Sequence, residues 1–182
     1  LAAVDAATGL ATSWDPQCRG EVHALAVRGT ALYVGGTFYA LGRQERHSLG
    51  AVDLTTGLAT DWIPGVSAIR AMVIVGQTLY LGGEFQQLDG QPRRDLGAFD
   101  LTTGQVNGWN PSADGVVRTL VSAKDRIYVG GDFTQVGGQP RARLACVDAV
   151  TGKVTDWKPA ADGPVVALAV GAREIYVGGA FV

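Results

Sequence analysis

The sequence predicts an all-β protein built from one short unit used four times, and three observations predict it. A Tyr-Val/Leu-Gly-Gly tetrad begins at Tyr33, Tyr80, Tyr128 and Tyr176, and a phenylalanine follows each at Phe38, Phe85, Phe133 and Phe181. A Trp-x-Pro recurs at Trp14/Pro16, Trp62/Pro64, Trp109/Pro111 and Trp157/Pro159. An Asp-x-x-Thr-Gly recurs at Asp5/Gly9, Asp53/Gly57, Asp100/Gly104 and Asp148/Gly152. Every column steps by 47 or 48 residues, and all four tryptophans of the chain fall in register. Self-similarity at such a period marks a repeat architecture.

The repeat that starts at Gly20 reads as four strands, at positions A to D. Val22–Val27 is a continuous apolar run, position A. Ala31–Phe38 centres on Tyr33 and Val34, position B; Leu49–Leu54 is position C, closed by Thr56-Gly57; Leu58–Trp62 is position D, stopped at Pro64. Turn residues separate the four, and no stretch carries a helical period. Four strands in 40–50 residues is the blade of a β-propeller. Strands caught between two blades are buried on both faces and should read as unbroken apolar runs, as position A does.

The chain opens on positions C and D and closes on A and B. The expected division is a half blade at 1–20, whole blades at 21–67, 68–115 and 116–164, and a half blade at 165–182. The two halves could clasp into one blade and close a ring of four. Alternatively the segment belongs to a ring of six to eight blades, or two chains complete a ring of eight. Four is the tightest ring, so a larger one is favoured. Leu1 is not an initiator methionine, and the natural N-terminus is expected upstream; no secretory leader is legible.

Composition narrows the function. The chain is 47% hydrophobic and 18% charged, with a formal net charge of −2. So mild a charge provides no general attraction to nucleic acid or to acidic membranes. No apolar run approaches the ~20 residues of a spanning helix. Cys18 and Cys146 stand in unlike repeat positions and make no disulfide framework.

The repeated polar and small residues have structural explanations. Glycine weakens a strand, so the Gly-Gly pair needs a reason, and close approach of a neighbouring blade supplies it. The tryptophan column is expected to pack between blades, each ring burying on the order of 200 Å². Asp5, Asp53, Asp100 and Asp148 sit before turns, where carboxylates accept from backbone N–H groups. No calcium loop or catalytic motif is present, and one histidine near the axis makes no metal site. No cofactor is expected.

The pattern Val-x-Ala-Leu-x-Val, Tyr-Val-Gly-Gly-x-Phe, Leu-Ala-x-Val-Asp-x-x-Thr-Gly and Trp-x-Pro resembles the delta-sixty type repeats of bacterial secreted and cell-surface propellers. The resemblance covers the whole chain. It implies a propeller at an extracellular or envelope address and no settled activity. A more distant resemblance is to quinoprotein-like propellers, whose docking motif Ala3-Val4-Asp5-Ala6-Ala7-Thr8-Gly9 matches at its head. Four residues rather than three then precede Trp14, and the same departure recurs in every copy, which points to shared blade design and not to a quinone enzyme.

Antiparallel order places the B–C loops and the D–A connections on one face. Six of the fifteen Lys and Arg residues, Arg43, Arg46, Arg93, Arg94, Arg141 and Arg143, fall in three B–C loops. The second residue of position A is His23, Arg70, Arg118 and Val166, expected to ring the channel mouth at the same face. Loops on a rigid scaffold are where function concentrates. Arg46, Arg93 and Arg141 form a repeated column, expected to bond structurally to the next blade. The candidate ligand-binding residues are therefore His23, Arg70, Arg118, Arg43, Arg94 and Arg143. The expected function is a non-catalytic scaffold or binding propeller of the envelope or surface, engaging a protein or acidic glycan. The alternative is a fragment of a propeller enzyme, quinoprotein-like or carbohydrate-active, with its site at the channel mouth. Nucleic acid and membrane insertion are not expected; self-assembly is one of the open ways to complete a ring.

Overall fold

In the computed structural model, which describes residues 1–182, strands form where the repeat places them. The first blade contains β1 (Arg19–Arg28), β2 (Ala31–Leu41), β3 (Gln44–Glu45) and β4 (Leu49–Asp53). The second contains β5 (Ile69–Val75), β6 (Thr78–Gly83), β7 (Gln87–Leu88), β8 (Gln91–Pro92) and β9 (Leu96–Asp100). The third contains β10 (Val117–Ala123), β11 (Arg126–Gly131), β12 (Gln135–Val136), β13 (Gln139–Pro140) and β14 (Leu144–Asp148). β15 (Val165–Val170) and β16 (Ile175–Gly179) begin a fourth blade. The protein is an all-β propeller arc with no helix.

In each whole blade the B strand is central, flanked by A and C in antiparallel pairing: β1-β2-β4, β5-β6-β9 and β10-β11-β14. Position D is shorter than the sequence suggested. It is held by one bridge per blade, at Val52↔Ala59, Phe99↔Val106 and Val147↔Val154, with Val4↔Ala11 in the opening half blade. Around the first of these Asp53 N–H donates to Leu58 O and Thr60 N–H donates to Ala51 O. The Asp turn closes one end, and the proline two residues beyond each tryptophan has no N–H with which to extend the ladder.

The B–C connection is a second small hairpin rather than a plain loop. Its tips are Gly42-Arg43 (φ 61° and 64°), Asp89-Gly90 (46° and 73°) and Gly137-Gly138 (60° and 71°). Positive φ at both central residues is the type I′ turn that suits a two-residue hairpin. Arg43 thus stands where the other two copies have glycine. The tips are tied to the connection entering their own blade: Gly42 N–H donates to Pro16 O, Asp89 N–H to Gly65 O and Gly137 N–H to Ser112 O.

The core lies between blades. Tyr33, Leu49 and Ala51 of the first blade pack with Ile69, Met72, Leu81 and Phe99 of the second. Tyr80, Leu96 and Ala98 pack in the same way with Val117, Leu120, Val129 and Val147 of the third. The first glycine of each tetrad sets the spacing. A Cβ on Gly35 would stand 2.6 Å from Ile69 Cγ2, and one on Gly130 2.5 Å from Val165 Cγ1, while one on Gly82 would strike Val117 Cγ1. The second glycine has a different neighbour. A Cβ on Gly36, Gly83 or Gly131 would meet the backbone carbonyl of Glu21, Ala68 or Val116, within the same blade. Close blade-to-blade approach therefore explains only the first glycine of the pair.

Trp62 Nε1–H donates to Gly104 O at 3.0 Å and Trp109 Nε1–H to Asp148 O at 2.9 Å, each reaching the C–D turn of the next blade. Each also stands edge-on to its own blade's tyrosine, Trp62 with Tyr33 at 5.7 Å and Trp109 with Tyr80 at 5.0 Å. The tryptophan column is thus interblade packing with a directed hydrogen bond. Cys18 is half-buried, and Cys146 is buried in β14 opposite Tyr128.

The ring is open. β1 packs on β5, β5 on β10 and β10 on β15, but β15 and β1 form no fourth interface of this kind. β1 accordingly alternates half-buried and exposed residues along most of its length, unlike the sandwiched strand β5.

The glycine sockets give a first test. Gly82→Val places methyl groups where Val117 and Leu120 sit, an overpacking that costs about 1–3 kcal/mol. A urea unfolding curve for the variant should show its midpoint lowered with the slope kept; an unchanged midpoint would contradict the socket.

Candidate functional site

A β-bulge in every A strand positions the candidate site. Pairing runs Val22↔Gly36 then Ala24↔Gly35, Ile69↔Gly83 then Ala71↔Gly82, Val117↔Gly131 then Thr119↔Gly130, and Val165↔Gly179 then Ala167↔Gly178. The residue skipped each time is His23, Arg70, Arg118 or Val166. A bulge leaves its extra residue out of the ladder and re-aims the side chain. The missing Cβ of Gly36, Gly83, Gly131 and Gly179 makes room for it. The bulged residues line an open depression of about 400 Å³ along the innermost strands. The sequence placed His23, Arg70 and Arg118 together at the axis, and they line this one groove.

Their electrostatics differ. Arg118 is a fork on Asp132: Nε–H donates to Oδ1 at 2.9 Å and Nη2–H to Oδ2 at 2.6 Å. Hydrogen bonding to Asp132 holds the guanidinium's pKa above its ordinary value. Arg70 has no such partner. It takes part in none of the protein's ion pairs, and its Nε is buried without a hydrogen-bond partner. Its Nη1 lies 3.2 Å from His23 Nε2 on the neighbouring blade, so that Nη1–H donates to the ring nitrogen of a neutral His23. His23 Nε2 is also 3.4 Å from Thr37 Oγ1 and 3.6 Å from Glu21 Oε2. The groove can therefore offer one guanidinium whose charge no carboxylate neutralises at contact distance.

The B–C arginines do other work. In the repeated column, Arg46 Nη2–H donates to Thr60 O at 2.8 Å, Arg93 to Asn107 O at 2.7 Å and Arg141 to Thr155 O at 2.7 Å. Their Nη1 groups donate to the carbonyls of Glu45, Pro92 and Pro140. These bonds tie the small hairpin to position D of the same blade, where the sequence had suggested the next blade. Arg94 Nη2–H donates to Asp114 O at 3.1 Å and Arg143 Nη1–H to Ala161 O at 2.8 Å, each stapling a B–C loop to the connection into the following blade. Arg43 sits exposed at its turn. Arg43, Arg94 and Arg143 are not among the residues that line the axial groove.

The aspartate column accepts turn hydrogen bonds as its spacing implied. Asp53 Oδ1 accepts from Thr56 N–H at 2.7 Å and from Thr55 N–H at 2.9 Å. Asp5, Asp100 and Asp148 repeat the arrangement. Backbone N–H donation holds all four carboxyls below their ordinary pKa. Asp95 runs the other way, raised by burial, with Oδ1 accepting from Phe85 N–H at 3.0 Å.

The bulge itself was missed in the sequence. Its signal was a polar residue at a fixed place in an otherwise apolar run, facing the second glycine of a tetrad that had no other use.

Comparison with known proteins agrees with this architecture. A family described as "Domain of unknown function (DUF5122) beta-propeller" matches residues 125–152. Among solved structures the chain is similar to the computationally designed Ika4 protein, at 19% identity and a TM-score of 0.57, covering 87% of this chain and 85% of that one. It is also similar to BamB from Moraxella catarrhalis, at 16% identity and a TM-score of 0.43, covering 96% of this chain and 62% of that one. Among curated proteins none matches.

Two measurements test these roles. Arg141→Ala removes the charged hydrogen bonds of a buried guanidinium to the carbonyls of Pro140 and Thr155 and should cost about 2 kcal/mol or more in urea unfolding; a change within error would remove the column from the framework. The aspartate turns predict acid sensitivity. A carboxyl with a depressed folded pKa contributes stability that is full above its unfolded value and lost as pH falls through the folded one. The urea midpoint should therefore fall below about pH 4. Asp53→Asn keeps an acceptor oxygen but does not titrate, so its acid slope should be shallower than that of the parent; an identical slope would refute the assignment.

Proposed function

We propose that this propeller is a non-catalytic binding or scaffold module of the bacterial envelope or cell surface, and that its axial groove takes a carboxylate-bearing segment of an acidic glycan or a protein. The observation that carries the reading is Arg70, a guanidinium in an open groove, seated against His23 and free of any carboxylate at contact distance. A guanidinium fork suits a carboxylate, sulfate or phosphate, and charge-assisted hydrogen bonds are the stronger kind. Arg118 and His23 flank the anchor, Arg118 with its charge already matched by Asp132. Arg94 and Arg143, with Arg43, extend the cationic rim outside the groove and are assigned a weaker part. The bacterial and surface address rests on the resemblance of the repeats. The catalytic alternative has no comparable observation behind it.

Calorimetric titration with an oligogalacturonate and, separately, with an oligoglutamate peptide tests the reading and tells glycan from protein. Binding should weaken as salt rises. Arg70→Ala should weaken it about tenfold or more, as loss of a charged hydrogen bond implies. The melting temperature should stay within a few degrees. If neither probe binds, or the variant binds as the parent does, the groove is not an anion site.

A further inference from the structure

The interface between the first and second whole blades holds a small recess at its outer end. It has a volume of about 210 Å³ and is lined by Ala31, Tyr33, Ala51, Thr60 and Trp62 of the first blade and, chiefly, Leu101 of the second. No charged residue lines it, and it shares no residue with the axial groove. The same recess recurs between the second and third blades, beside Tyr80, Asn107 and Trp109.

The two recesses differ in their polar atoms. In the second, Tyr80 O–H donates to Ala149 O at 2.7 Å and Asn107 Oδ1 accepts from Trp109 N–H at 2.9 Å. Tyr33 and Thr60 hold the corresponding places in the first, and neither is engaged. Tyr33 makes no bond to Leu101 O, which stands in the Ala149 column. Thr60 Oγ1 is buried without a hydrogen-bond partner. In its column Thr12 and Thr155 each accept from the N–H of the following tryptophan at 3.3 Å.

The tryptophan is seated differently as well. Trp14 and Trp109 donate to the aspartate carbonyl that opens the next C–D turn, Asp53 O at 3.4 Å and Asp148 O at 2.9 Å, whereas Trp62 donates to Gly104 O at the close of its turn. Tyr33 and Trp62 stand 5.7 Å apart at 69°, against 5.0 Å and 81° for Tyr80 and Trp109. The first interface thus keeps the repeated packing and leaves two hydroxyls unpaired in an uncharged recess. A hydroxyl withdrawn from water without a partner carries a desolvation penalty, which a ligand that bonds to it relieves.

The lining selects the ligand. Without a charged wall the ligand is neutral. An apolar cavity of about 150 Å³ already holds benzene, so one substituted six-membered ring fits here. The two hydroxyls, each both donor and acceptor, call for one polar edge. Ala31, Ala51 and Leu101 call for an apolar body. A monosaccharide carries hydroxyls around its whole ring, and those set against the alanines and the leucine would stay unpaired. We propose that this recess is a binding site for a small neutral phenol, its hydroxyl bonded to Tyr33 and Thr60 and its ring against Ala31, Ala51, Leu101 and Trp62. The site does not depend on what the axial groove binds.

Calorimetric titration of the 182-residue chain with p-cresol tests the site, with toluene and methyl glucoside as comparison ligands. p-Cresol should bind at one molecule per chain. Toluene keeps the ring and methyl group but lacks the hydroxyl, and should bind about tenfold more weakly or not at all. Tyr33→Phe with Thr60→Val removes both hydroxyls and should weaken p-cresol by about the same factor. The melting temperature of that double variant should hold or rise, since neither hydroxyl is bonded within the protein. Ala31→Leu fills the recess and should abolish binding; its column holds Thr78, Arg126 and Glu174, so a longer side chain there suits the fold. No saturable binding of p-cresol, toluene bound as tightly, or a double variant that binds as the parent does would each overturn the proposal. Methyl glucoside bound in preference to p-cresol overturns the phenol class. Two molecules of p-cresol per chain overturn the assignment to the unpaired hydroxyls, because the second recess offers neither. A double variant that melts lower or fails to fold shows that the hydroxyls already have partners, and overturns it too.

Discussion

How near one blade can come to the next depends on a single missing Cβ, and the rest of the structure follows from that distance. At Gly35, Gly82 and Gly130 the central strand of a blade has no side chain on the face that receives the next blade, and a β-branched residue, Ile69, Val117 or Val165, fills the space. All three of these residues are fully buried. A side chain on the glycine would push the inner strands apart, and the loss of close packing would be felt along the whole interface, since contact energies fall steeply with small gaps. The second glycine of the tetrad works inside the blade. It lets the carbonyl of the A strand lie against the B strand at the bulge, which leaves His23, Arg70 or Arg118 out of the ladder and directed to the axis. One dipeptide thus sets both the packing of the core and the orientation of the site.

The outer part of each interface is held by directed contacts. Trp62 and Trp109 reach across to carbonyls of the following C–D turn, and that turn is fixed by an aspartate, Asp100 or Asp148, which accepts its N–H groups. An aromatic pair in edge-to-face geometry adds on the order of 0.5–1.5 kcal/mol beyond its buried area. Tryptophan, turn and aspartate therefore act as one unit, repeated with each blade. In such an architecture stability is close to a sum of repeats and nearest-neighbour interfaces.

Much of this was legible in the sequence because the repeat made each position readable four times. The strands, the tryptophan packing and the aspartate turns follow from columns whose residue types admit one structural use. Besides the bulge and the role of the second glycine, three features were not. Position D was read as a full strand, since Leu58–Trp62 is apolar enough, but tryptophan anchoring and the following proline leave room for one bridge. The B–C segment was read as a polar loop because Arg43 occupies a turn position that Gly90 and Gly138 mark more plainly. The arginine column was assigned a bond to the next blade; composition says that a buried guanidinium needs acceptors, and only geometry says that Thr60, Asn107 and Thr155 of the same blade supply them.

In the bulged column the copies differ in charge. The bulged column reads His23, Arg70, Arg118 and Val166, and the column facing it on the B strand reads Thr37, Glu84, Asp132 and Ala180. At Val166 and Ala180 neither residue carries a charge. At Arg118 and Asp132 the two charges cancel in a bidentate pair. At Arg70 the facing Glu84 forms no ion pair, and at His23 the facing group is a hydroxyl. The backbone keeps one geometry in all four places, so the field along the inner wall is set by side-chain choice alone, rising from neutral at Val166 to an unneutralised cation at Arg70. The one guanidinium of this column that no carboxylate neutralises at contact distance lies at the first-to-second blade junction. Packing leaves this column free to vary, because its side chains line the groove and belong to none of the core clusters. A binding site can change there without disturbing an interface.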